Sequence, residues 1–165
     1  MPIELYVIRH ARAEARGDRW PDDDERPLSD EGRARFHEAV LGLKRLGVTF
    51  DGVVSSPLVR TSQTALLLAP LARHPTVVTL DALRPGRRPA AVLRGLAALE
   101  IGGRIAVVGH EPGLGALVAH LLGASRPIPF KKGGVACLEL PRLSPATTGT
   151  LRWFMPPSVL RRVRR

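Results

Sequence analysis

Apolar positions fall into two patterns along this chain. Short runs of Val, Ile and Leu alternate with longer stretches in which apolar residues recur every three or four positions. The first pattern predicts strands and the second helices, and their alternation predicts an α/β protein. Strands are expected at Ile3 to Ile8, around Val53 and Val54, at Thr76 to Leu80 and at Arg104 to Gly109. Two further runs, Val135 to Leu140 and Thr150 to Met155, are joined by a loop rich in Pro, Ser, Thr and Gly. They predict an antiparallel pair at one side of a mainly parallel sheet.

The helical stretches have readable ends. Ser29 can cap the first, Asp30 and Glu31 suit its positive end, and Phe36, Ala39, Val40, Leu43 and Leu46 form its apolar stripe before Gly47. Leu58 to Leu68 predicts a second helix, ending before Pro70. Pro89 suits the first turn of a third, with Val92, Leu93, Leu96 and Leu99 facing inward, and Pro112 suits the first turn of a fourth at Leu114 to Leu122, with Gly123 as its stop. Ala15 to Pro27, crowded with acids and arginines, reads as an exposed loop. The expected architecture is a three-layer α/β/α sandwich in a single domain over residues 1 to 157, followed by a basic tail at 158 to 165.

Composition narrows the function. At 165 residues and 44% hydrophobic, the chain can bury a core without disulfides or metals. Cys137 is the only cysteine and lies in an apolar run, so it reads as a buried small hydrophobe. No apolar run approaches the roughly 20 residues that span a bilayer, and the N-terminal run lacks signal-peptide features, so a cytoplasmic location is expected and a membrane partner is not. The net charge of +10 favours anionic substrates. The aromatics are few and scattered, so no base-stacking platform is present and nucleic acid is not an expected partner despite the basic tail.

Four residues carry the candidate chemistry. Arg9 and His10 follow the first predicted strand, Arg60 follows the second, and His110 follows the fourth. Ligands of open α/β sheets gather beyond the carboxyl ends of the strands, so these side chains are expected to meet. Burying two arginines and two histidines together is costly unless an anion balances them. For the glycines of Gly109 to Gly115, two readings stand: an anion-binding helix start, or ordinary strand-to-helix turning.

At these residues the chain resembles the histidine phosphatase superfamily, whose fold is phosphoglycerate mutase-like. Leu5 to Ala11 is similar to its strand plus Arg-His-Gly signature, Ser55 to Thr64 to its S-P-x-x-R-x-x-Q-T segment, and Val107 to His110 to the strand that delivers a second histidine. Arg26-Pro-Leu-Ser29 with Gly32, and Gly109-His-Glu-Pro-Gly113, resemble the SixA-type phosphohistidine phosphatases more narrowly. The resemblance implies a covalent phosphohistidine on His10, with Arg9, Arg60 and His110 as its catalytic partners, and neither a metal nor a cofactor. It points to Arg26 and Arg84 as substrate-binding residues, and to a phosphohistidine protein or a small phosphorylated molecule as partner. A mutase-like phosphoryl transferase and a non-catalytic phosphate-binding module are the alternatives.

The chain departs from the family pattern in two places. Ala11 stands where glycine is usual, and the backbone there is expected in the β or right-handed region. Many relatives carry an acid after the third strand; here the stretch Asp81 to Gly86 places Arg84 near that position, so no general acid is expected.

Overall fold

The computed structural model describes residues 1 to 163. Six strands form one sheet in the order β3-β2-β4-β1-β5-β6: β1 Ile3–Arg9, β2 Gly52–Ser55, β3 Val77–Thr79, β4 Arg104–Gly109, β5 Val135–Leu140 and β6 Thr150–Met155. The first four are mutually parallel, while β5 runs antiparallel to β1 and β6 antiparallel to β5. Helices α1 Asp30–Arg45, α2 Val59–Leu68, α3 Pro89–Ala98, α4 Gly113–Leu122 and α5 Pro157–Leu160 complete the chain.

Strand periodicity divides the core into two layers, because successive side chains point to opposite faces. Tyr6, Ile8, Val53, Ala106, Val108 and Cys137 pack on one face with Phe36, Leu43 and Leu68. Leu5, Val7, Val54, Ile105, Val107 and Leu138 pack on the other with Leu93, Leu96 and Leu117. The central strands are buried on both faces, which is why they read as continuous apolar runs rather than alternating ones. The α/β sandwich expected from the sequence, with a mainly parallel sheet and an antiparallel pair at one side, is the architecture found.

Three expectations need correction. Leu46 lies outside the buried stripe of α1 and is 46% exposed, because the helix ends at Arg45 and the chain turns at Gly47. The segment from Ala15 to Pro27 is not wholly an exposed loop: a 3-10 turn at Asp23–Glu25 leads into buried Arg26, and Ala13 bridges to Leu28. The tail expected from residue 158 begins later. Leu160 is fully buried in the core, its carbonyl passing so close to Gly42 that a Cβ there would lie 2.0 Å from the oxygen. Arg164 and Arg165 lie outside the described residues.

Candidate active site

The carboxyl ends of β1, β2 and β4 converge on a cleft of about 800 Å³ lined by Arg9, His10, Arg26, Asp23, Arg60 and His110 among others. Parallel pairing explains the convergence, since β1 and β4 align Arg9 with Gly109 and β2 and β4 align Ser55 with Val108. His10 and His110, each the residue after its strand, face one another with ring centroids 5.4 Å apart.

Local bonding orients His10. Its Nδ1 lies 2.7 Å from the Ala11 carbonyl, which can only accept, so Nδ1 carries the hydrogen and Nε2 keeps a free lone pair. The Ala11 N–H in turn donates to Thr64 Oγ1, and that hydroxyl donates to the Arg60 carbonyl, tying the His10 turn to α2. Ala11 takes no left-handed conformation, as expected: among the described residues Glu100 is the only non-glycine with positive φ. Burial, with lesser repulsion from His110, Arg60 and Arg9, pushes the His10 pKa down to about 3.

The segment Ser56 to Thr64 supplies four supports at helical spacing. Ser56 Oγ lies 2.9 Å from His110 Nε2, Arg60 enters the cleft, Gln63 accepts from the Leu28 N–H, and Thr64 holds Ala11. Burial and then Arg60 push the His110 pKa down to about 3. Arg60 donates to the Asp23 carbonyl at 2.7 Å and to its carboxylate at 3.1 Å. Arg26 donates to the same carboxylate at 2.8 Å and to the Glu14 carbonyl at 2.8 Å. The hydrogen bond from Arg26 holds the Asp23 carboxyl below the usual range. Arg9 donates to the Phe130 carbonyl at 2.6 Å. Arg9 Nε, Arg60 Nε and His110 Nδ1 are buried without a partner among the described residues.

The structure brings five of the six candidate residues into one cleft. Arg84 stands apart: its side chain is tied to Asp24 at 2.8 Å and Asp81 at 2.7 Å, beside a smaller pocket that His110 also borders. Asp81 is held by Arg84 and Arg87 and does not line the cleft. Sequence reasoning missed Asp23, Ser56 and Glu111. Glu111 lines the cleft, accepts from the Gly115 N–H at 2.9 Å, and has its pKa raised by burial. Its place directly after His110 was the available signal. Gly115 serves packing, because a Cβ there would lie 2.6 Å from the Ile128 carbonyl oxygen.

Comparison with known proteins gives matches of several kinds. Residues 5–85 match the model of the histidine phosphatase superfamily, branch 1. An uncharacterized protein of Picosynechococcus is 36% identical over 115 residues, which cover 68% of this chain and 69% of that protein. The structure of the protein histidine phosphatase SixA complexed with tungstate matches with a TM-score of 0.82 and 27% identity, covering 96% of this chain and 99% of that one. Phosphoserine phosphatase from Entamoeba histolytica, in complex with 3-phosphoglyceric acid, shares the fold at a TM-score of 0.67 and 16% identity, covering 92% and 96% respectively.

Proposed function

The chain belongs to the histidine phosphatase superfamily, and from that premise we propose that it is a metal-independent phosphohistidine phosphatase acting through a covalent intermediate on His10. The observation that carries this reading is the 2.7 Å bond from His10 Nδ1 to the Ala11 carbonyl, which leaves Nε2 unprotonated in the cleft that Arg9 and Arg60 also line.

In this reading the Nε2 lone pair attacks phosphorus, and the bond from phosphorus to the leaving nitrogen breaks with its electron pair on that nitrogen. The leaving imidazole departs neutral because its second nitrogen already carries a proton from water. The ring of phosphorylated His10 is positive, and its Nδ1–H stays bonded to the Ala11 carbonyl, which stabilises it. Arg9 and Arg60 grip the phosphoryl oxygens through their planar forks, offsetting the charge that grows in the transition state. Water then attacks the phosphorus, the bond to Nε2 breaks, and phosphate leaves. His110 donates to the phosphoryl group once the bound dianion draws a proton to it, and buried Arg26 contributes further positive charge in the cleft wall. Tungstate in the SixA structure is a tetrahedral oxyanion of the kind such a cleft would hold.

The SixA-like match supports phosphohistidine as substrate, as does the placement of Asp81 away from the cleft. The discriminating experiment is rapid-quench mixing with phosphohistidine. A phosphoryl group on His10 in the quenched enzyme, with stoichiometric release of free phosphate, supports the reading. Transfer to an acceptor without release would assign the chain to the mutase-like transferases, and retention of intact substrate would assign it to the binders.

A further inference from the structure

Beside the catalytic cleft lies a second groove of about 500 Å³, and Arg12 and Lys132 line both. Its floor is apolar, built from Phe36, Pro156 and Pro157. Gly133, at φ 80, keeps that floor open, since a Cβ there would lie 3.2 Å from the Phe36 ring and 3.5 Å from Pro157. Its rim is cationic: Arg35, Lys131 and Arg161 join Arg12 and Lys132. Glu31 partly offsets Arg12 and Arg35, at 3.5 Å and 2.7 Å, and Glu38 reaches Arg161 only at 4.0 Å. Lys131 and Lys132 pair with no carboxylate among the described residues, so the rim stays positive with both acids counted.

A cationic rim around an apolar floor, continuous with the cleft, selects a ligand that is acidic and apolar at once. We propose that the groove seats the protein substrate, holding an acidic segment with one aliphatic side chain while the adjoining phosphorylated residue enters the cleft. This rests on the phosphatase reading above for the event in the cleft. The carboxylates of the segment meet the rim and its aliphatic side chain lies on the prolines. Phe36 is only 2% exposed, so the floor has no free aromatic face on which a nucleic-acid base could stack.

Binding and turnover test the groove separately from the chemistry. Fluorescence anisotropy would compare three unphosphorylated probes: a peptide with Asp, Glu and Leu flanking a histidine, the same peptide with Ser and Gly flanks, and a single-stranded RNA of similar length. The acidic peptide should bind at least tenfold more tightly than the neutral one. Arg35→Glu combined with Lys131→Glu should erase that preference, and Lys131→Ala alone should weaken it. Both variants should hydrolyse free phosphohistidine within twofold of the parent, which also verifies their folding. Equal binding of the two peptides, a preference that survives in the folded variants, or RNA binding more tightly than the acidic peptide would each overturn the proposal. Failure to hydrolyse free phosphohistidine at all would overturn the catalytic reading instead, leaving the anisotropy result to decide the groove.

Discussion

Asp23 holds Arg60 at two points, its backbone carbonyl 2.7 Å from one terminal nitrogen and its carboxylate 3.1 Å from the other. The guanidinium is thereby fixed, buried, in the wall of the cleft. A lysine at position 60 has one ammonium and cannot keep both anchors while still presenting a flat pair of donors to a phosphoryl group. Arg60→Lys should lower kcat/KM at least tenfold, equivalent to about 1.4 kcal/mol. Steady-state kinetics at the parent level in that variant would remove Arg60 from the site.

His10→Ala should abolish turnover, since loss of a covalent nucleophile costs several orders of magnitude in rate. In the intact enzyme the phosphoryl group should reside on Nε2 rather than Nδ1, because Nδ1 donates to Ala11. Nitrogen NMR of the trapped intermediate distinguishes the two. Phosphorus on Nδ1, or on Cys137, would contradict the arrangement. Cys137 is expected to stay unmodified, because burial pushes its thiol up to about 11.

Acid should weaken the fold through the same histidines. His10 and His110 are held neutral in the folded chain down to about 3, whereas in the unfolded chain they bind a proton near 6.5. Their folded pKa is depressed, so their contribution is complete above about pH 6.5 and is lost as the pH falls towards 3. Asp23, also depressed, acts in the same direction on further acidification. Urea midpoints should fall steadily between pH 6.5 and 4, and His10→Gln with His110→Gln should flatten that fall. An unchanged slope in the double variant would disprove the assignment.

EDTA should leave the rate unchanged. Arg9, Arg26 and Arg60 already supply the positive charge that a divalent cation would bring to a phosphoryl group. Loss of activity on chelation, restored by one added metal, would refute this.

The leaving group should decide which substrates turn over. Serine phosphate needs a positioned acid, worth roughly 10² to 10⁴ in rate, whereas phosphohistidine does not. The expected order is phosphohistidine, then activated aryl phosphate, then phosphoserine. Asp81→Asn should change none of these, since that carboxylate is bound by Arg84 and Arg87. Glu111→Gln keeps an acceptor for the Gly115 N–H and should leave phosphohistidine hydrolysis within threefold. A fall of 30-fold or more in that variant would identify Glu111 as an acid the reaction requires.

Much of this was legible in the chain because strand ends are local features. The apolar runs place Arg9, His10 and His110 at the ends of β1 and β4, and Arg60 falls in the first turn of the helix expected after the second strand. What escaped depends on partners distant in sequence. Leu160 is buried because Gly42 of α1 lets the chain pass close. Arg84 was set by ion pairs, one of them 60 residues away at Asp24. Neither charge nor periodicity announces such pairings.

The order of strands also bears on when during synthesis the enzyme comes into being. β1 is made before both of its neighbours, β4 and β5, which come from residues 104 to 109 and 135 to 140. Until they arrive, the strand that carries Arg9 and His10 has no hydrogen-bonded edge on either side, and contacts of such long sequence separation form slowly. Leu160 enters the core later still. A nascent chain therefore leaves Arg9 and His10 without their assembled surroundings until β5 has been made, and a message cut short before β5 yields a polypeptide in which β1 lacks one of its two neighbours.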